Sequence, residues 1–254
     1  MDILYIVGKG FSEWRDNELR YSLRSIAKNG KNIRKVFVVG YCPYWLNEET
    51  VTLLPLRDPV DGNKHANILR AIDYAINNSD LEEHFLISAD DHYYVAPTDF
   101  DKYPVYWWGE ELQTAPVKGR DKWYNTTLIS TQECLSAMGL PTRMYCWHGN
   151  THFNARLWKQ KRMVLLRRLA VTLPEACEPT CLMLNYWQAV EPKTMPKIVE
   201  RDDWKISVSD TTKSVAEKIR RKECVTSTNV VGEALKEFLT REFPKPCKYE
   251  RTPR

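Results

Sequence analysis

The strongest constraint in this chain is an alternation that fills its first ninety or so residues. Short, uninterrupted apolar runs take turns with segments whose apolar residues fall at helical spacing. Ile3 to Val7 is such a run, followed by a Gly8-Lys9-Gly10 turn. Asp16 or Asn17 is predicted to cap a helix with Leu19, Leu23 and Ile26 on one face, and Asn29-Gly30 to end it. Val36 to Val39, closed by Gly40, reads as a strand buried on both faces, as parallel strands are. Val51 to Leu56 is a weaker strand, and Asp58-Pro59-Val60-Asp61-Gly62 a turn. From Asn63 to about Asn77, Ile68 or Leu69, Ile72, Ala75 and Ile76 recur at helical spacing. Phe85-Leu86-Ile87 is another buried strand, running directly into Ala89-Asp90-Asp91-His92. Strand, helix, strand, strand, helix, strand predicts an α/β fold with a mixed, mostly parallel sheet flanked by helices.

The remainder is less periodic. Trp107-Trp108 and the stretch to Trp123 read as loops and short strands. A helix is predicted from Thr131 to Met138, ended by Gly139-Leu140-Pro141. A basic helix is expected from Asn154 to Leu169, and a short one through Val215 to Ile219. The last helix is the clearest, with Val231, Ala234, Leu235, Phe238 and Leu239 in one stripe and Phe243-Pro244 as its stop. No repeat or linker marks a boundary, so a single domain over 1–254 is expected.

Composition narrows the class. With 43% hydrophobic and 28% charged residues, disorder as the main state is excluded. No apolar run approaches the ~18 residues of a membrane span. The acidic second residue and short first apolar run do not fit a secretory signal. The seven cysteines are an odd number at scattered spacings, which predicts reduced thiols and a cytoplasmic location. Cys177 and Cys181 lack the second ligand pair that a zinc finger needs. A net charge of +4 does not by itself imply nucleic acid.

Three clusters carry possible chemistry. Asp90 and Asp91 directly follow a buried strand, where ligands of open α/β sheets bind. Adjacent carboxylates repel unless a cation compensates, and hard oxygen ligands suit Mg²⁺ or Mn²⁺ bridging to phosphate oxygens; the ordinary alternative is a polar turn. His148 and His152 are four apart, but Gly149-Asn150-Thr151 is a poor helix interior. A loop is expected there, with one histidine facing the site. Arg20 and Arg24 are like-charged neighbours on a helix, a pairing that suits an anion between them or a plain solvated face. Lys159, Lys161, Arg162, Arg167 and Arg168 form a basic run beside Trp158 that either tracks a polyanion or is solvated. The phosphate-binding, dinucleotide-binding, serine-hydrolase and zinc-protease motifs are all missing.

Several segments, in order, resemble one family. Asp16 to Ile26, then Ile33 to Gly40 and Trp45-Leu46-Asn47, resemble the opening regions of Stealth-type proteins, which are capsular polysaccharide and hexose-phosphate transferases. Phe85 to His92 resembles their strand ending in paired aspartates. Met144 to Trp158 resembles a later region in which a histidine precedes an aromatic-Asn segment, and Ser227 to Glu250 their closing region. Ala89 stands where that family usually has Asn, and Cys247 where Ser is common.

The resemblance implies a GT-A-like, Rossmann-like core, with 1–100 as the nucleotide-sugar half and 101–254 as the acceptor half. It implies that Asp90 and Asp91 hold Mg²⁺ or Mn²⁺ on the donor diphosphate, with Asp91, His148 and Arg20 as catalytic residues. Arg24, Asn63, Lys64, Asn67, Asn125, His152 and Asn154 are the implied substrate contacts. The implied partners are a nucleotide-sugar donor and a hydroxyl acceptor, either a polysaccharide or modified DNA. Sugar transfer, sugar-phosphate transfer, DNA base glycosylation and an inactive nucleotide-sugar- or carbohydrate-binding module all remain open at this point.

Overall fold

The structure, a computed structural model, describes residues 1–8, 14–57, 63–112, 122–145 (backbone only at 122 and 123), 149–172, 176–200, 205–220, 222–227 and 230–251. The chain opens with β1 (Asp2–Val7), α1 (Asn17–Asn29), β2 (Gly30–Lys31), β3 (Val36–Gly40), β4 (Val51–Pro55), α2 (Lys64–Asn78) and β5 (His84–Ser88). It continues through β6 (His92–Tyr94), β7 (Thr98–Asp99), β8 (Val105–Trp107), α3 (Lys122–Ala137), β9 (Thr151–Asn154), α4 (Ala155–Trp158), α5 (Lys161–Ala170) and α6 (Pro179–Val190). It closes with β10 (Ile198–Glu200), β11 (Lys205–Ile206), α7 (Thr212–Ile219), β12 (Cys224–Ser227) and α8 (Glu233–Glu242).

The main sheet has the order β4-β3-β1-β5-β9. Its first four strands are parallel, and β9 runs antiparallel on β5. The predicted mixed, mostly parallel sheet flanked by helices is therefore what the chain forms. Alternate residues face opposite sides of each strand. Ile3, Tyr5, Val7, Val36, Val38 and Leu86 pack with Leu19, Leu23 and Ile26 of α1. Leu4, Phe37, Val39 and Phe85 pack with Leu69, Ile72, Ala75 and Ile76 of α2. Both faces are covered, which is why these runs show no polar alternation.

Gly40 closes β3 opposite Val7 with φ +104°, and a Cβ there would lie 2.2 Å from the Val7 carbonyl oxygen. No other residue fits this position. Gly30 is different from its expected role as a left-handed helix stop. It is extended and leads straight into β2; its missing Cβ spares Ile26 O, 2.6 Å from the position it would take.

Topology then fixes where a ligand can sit. From β1 the chain crosses through α1 to β3 on one side; from β4 it returns through α2 to β5 on the other. The carboxyl ends of β1 and β5 thus lie between the N-termini of α1 on one face and α2 on the other, the end of such a sheet at which ligands bind. A smaller sheet, β11-β12-β6, stands beside it. It is fastened to α1 by Ser22 Oγ donating to His92 O (2.6 Å), Tyr94 N donating to Ser25 Oγ (2.9 Å) and Asn29 Nδ2 donating to Tyr94 O (2.6 Å).

Four elements depart from expectation. α3 begins at Lys122, not Thr131: Thr126, Thr127, Ile129 and Thr131 weaken its intrinsic propensity, and burial of Thr127, Leu128, Thr131 and Leu135 among its neighbours compensates. The single basic helix is two helices, α4 and α5, separated at Lys159-Gln160. α6 was not expected because Leu182 to Trp187 is buried all round and shows no stripe. Its start is nonetheless marked by Pro179 after Glu178, whose carboxylate accepts from Cys181 N at 2.7 Å. Asp16, expected as a cap, has φ 60° and makes no capping bond.

Candidate active site

Asp90 and Asp91 sit at the carboxyl end of β5, in the turn to β6. His92 secures that turn from below. Its Nδ1 accepts from Ala89 N (3.2 Å), and the Ser88 hydroxyl and the Asn150 amide approach the same nitrogen at 3.4 and 3.3 Å. Burial keeps His92 neutral by pushing its pKa down. Asp91 Oδ2 accepts from Thr226 Oγ1 at 2.7 Å and is 3.4 Å from Ser227 Oγ, both on β12.

Asp90 is half-buried, and its pKa is raised to about 7. Burial is the main cause, followed by the negative charges of Asp91 and of Glu18 in the first turn of α1. Lys64, at the start of α2, pulls the other way. The same three carboxylates, after burial, push up the Tyr93 phenol, which stays protonated. The N-termini of α1 and α2 thus bring Glu18 and Lys64 within electrostatic reach of Asp90 at the end of β5.

A divalent cation fits this arrangement. Among the described residues no three His, Cys, Asp or Glu side chains form a closed metal site. Two adjacent carboxylates with excess negative charge are what Mg²⁺ or Mn²⁺ uses when water and substrate phosphates complete its shell.

The other expected residues divide into three groups. Asn63 caps α2, its Oδ1 accepting from Ala66 N (3.0 Å), and Asn67 is one turn further; with Lys64 they lie at the N-terminal end of α2. Asn125 is half-buried in the first turn of α3. His148 falls outside the described residues, as does the Asp58–Gly62 turn.

Three expected placements differ in the structure. Arg20 and Arg24 lie on the face of α1 opposite Glu18 and Ser22, and the anion between them is the protein's own Glu250. Arg24 holds both Glu250 oxygens (2.6 and 2.9 Å), while Arg20 Nε is 3.3 Å away and its guanidinium stacks 4.7 Å from the Trp45 ring. His152 is buried in β9, with Nε2 2.6 Å from Tyr103 O and Nδ1 2.9 Å from His84 Nε2; burial drives its pKa down to about 3. It is a neutral strut inside the sheet. Asn154 pairs with His84 at the opposite, amino end of β5, where it caps α4 through Leu157 N (2.9 Å). Cys177 and Cys181 are core residues, with Cys177 Sγ donating to Ser130 O at 3.3 Å.

Sequence reasoning missed Glu18, Thr226 and Asn150 as site-forming residues. Glu18 carried a usable signal, an acid in the first turn of a helix that follows β1. Thr226 carried none, because it meets Asp91 across 135 residues.

No protein-family model matches the chain, and no curated protein does. Solved structures do resemble it in chain course. One is a glycosyltransferase involved in the glycosylation of the major capsid of PBCV-1, at 12% identity over 95% of this chain and 100% of that one, TM-score 0.42. Another is the glycosyltransferase GlyE of Streptococcus pneumoniae TIGR4, at 9% identity over 96% of this chain, TM-score 0.45. This chain spans 60% of the length of GlyE.

Proposed function

We propose that the protein is a GT-A-like transferase that moves a sugar, or a sugar 1-phosphate, from a nucleotide-sugar donor to a hydroxyl acceptor. The observation that carries this reading is the acidic pair Asp90–Asp91 at the carboxyl end of β5, with Glu18 and Lys64 beside it. The ordered resemblance of the other segments to Stealth-type transferases is a second support. Asp90 and Asp91 would hold Mg²⁺ or Mn²⁺, which supplies charge neutralisation for a diphosphate leaving group. Lys64 and the N-terminus of α2 offer a phosphate positive charge and free backbone N–H groups. Thr226 and Ser227 hold Asp91 through one oxygen, Oδ2, and leave the other for a ligand. His92 remains neutral and holds the turn, with no proton to give.

Both chemical outcomes fit this site. Attack of the acceptor hydroxyl on the anomeric carbon breaks the bond to the β-phosphate oxygen and releases a nucleoside diphosphate. Attack on the β-phosphorus releases a nucleoside monophosphate. In each case the acceptor proton leaves with base or solvent.

The deciding experiment is a thermal-shift screen of nucleotide sugars with and without Mn²⁺, followed by identification of the released nucleotide. One donor is expected to give a metal-dependent shift and a nucleotide product, and Asp91→Asn to reduce turnover at least about a hundred-fold. Donor binding and turnover that survive both Asp90→Asn and Asp91→Asn would end this assignment.

A further inference from the structure

The basic run on α5 takes no part in the site. Arg167 belongs to the fold: it pairs with Asp73 and stacks 4.5 Å from the Trp158 ring. Arg156, one helix earlier, is paired with Glu83 and Glu191. Lys159, Lys161, Arg162 and Arg168 are all exposed, and none has a carboxylate partner among the described residues. Lys159 Nζ and Arg162 Nη2 reach only the backbone oxygens of Ile76 (3.5 Å) and Met138 (2.5 Å).

These cations frame exposed aliphatic side chains. Leu165 is 57% exposed; Lys161 and Arg162 lie one turn before it on the same helix face, and Arg168 one turn after. Val171 (50%) ends that face. α3 lies alongside in antiparallel register, with Met138 meeting Arg162 and Cys134 Sγ donating to Leu166 O. By the same register exposed Ile129 lies at the level of Val171, turned toward solvent. Glu133 is the carboxylate that α3 shows on this side.

We propose that this α5–α3 face docks on an anionic lipid bilayer. A polyanion such as duplex DNA would satisfy the four cations but offer Leu165, Ile129 and Val171 nothing. An apolar protein groove would bury the aliphatics and strand the charges. A bilayer interface provides acyl boundary for the first and headgroup phosphates for the second. The docked face leaves the carboxyl ends of β1 and β5 uncovered. Lys159 touches the last turn of α2 at Ile76, about 18 Å along that helix from Lys64. This inference does not depend on the transferase reading.

Co-sedimentation with vesicles tests it. The protein is expected to pellet with phosphatidylglycerol-containing vesicles and not with pure phosphatidylcholine, and added salt should release it. The double variant K161Q/R168Q should lower partitioning roughly twenty-five-fold, at about five-fold per charge. Leu165→Ser should lower it several-fold at unchanged charge, while the melting temperature stays as in the parent. The proposal falls on any of three results: no vesicle binding, binding to both vesicle types alike, or variants that bind like the parent. Capture by duplex DNA with vesicles ignored would overturn it in favour of a nucleic-acid surface.

Discussion

Asp90 and His152 contribute to the pH dependence of stability in opposite senses. Asp90 holds its proton to about pH 7 when folded, whereas an unfolded aspartate releases it near 4. Its contribution to stability is therefore complete below about pH 4 and is lost as pH rises to 7, by no more than about 4 kcal/mol. His152 behaves conversely. With a folded value of about 3 against an unfolded value near 6.5, it costs stability as pH falls below 6.5. Urea titrations across pH are expected to show a shallower acid limb in His152→Gln and a shallower neutral limb in Asp90→Asn. Mn²⁺ should flatten the neutral limb of the parent alone. Parallel curves for parent and variants would contradict these assignments.

At the scale of elements, α1 is tied on two faces. Ser22, Ser25 and Asn29 grip β6, and Arg20 and Arg24 grip Glu250. Glu250 is 8% exposed, so removing its bidentate partner leaves a nearly buried carboxylate held by the Cys247 N–H (3.1 Å) and the 3.3 Å contact to Arg20. Arg24→Leu is expected to destabilise the fold by about 3 kcal/mol, read as a lower urea midpoint at unchanged slope. A loss below about 0.5 kcal/mol would mean that the pair is solvated. The sequence made β1, α1, β3, β4, α2 and β5 legible because two-faced burial writes unbroken apolar runs and amphipathic helices write stripes. β9 and α6 were illegible for matching reasons: Thr151-His152-Phe153-Asn154 is a polar string buried by its partners, and α6 is covered all round. The i,i+4 arginines left an anion or a solvated face open, and their spacing holds no information about a glutamate 226 residues from Arg24.

Across the whole molecule, the candidate site is shared between distant parts of the chain. The acidic pair was legible because it ends a strand; its support was not, because Thr226 arrives on β12 through the antiparallel pairing with β6. Thr226→Val keeps the shape and removes the hydroxyl that orients Asp91. We expect it to raise the Mn²⁺ concentration needed for half-maximal donor binding by about ten- to a hundred-fold, with little change in melting temperature. An unchanged metal requirement would show that β12 serves packing alone.

The reach from Asp91 to Thr226 also sets an order of assembly. During synthesis the acidic turn leaves the ribosome long before the hydroxyl that steadies it, and α1 waits longer still for Glu250. A nascent chain holding only the first half has the strands and the carboxylates, but neither the wall behind Asp91 nor the clamp on α1. The acidic turn is therefore steadied only after β12 has been made, and α1 is clamped only after Glu250 has followed.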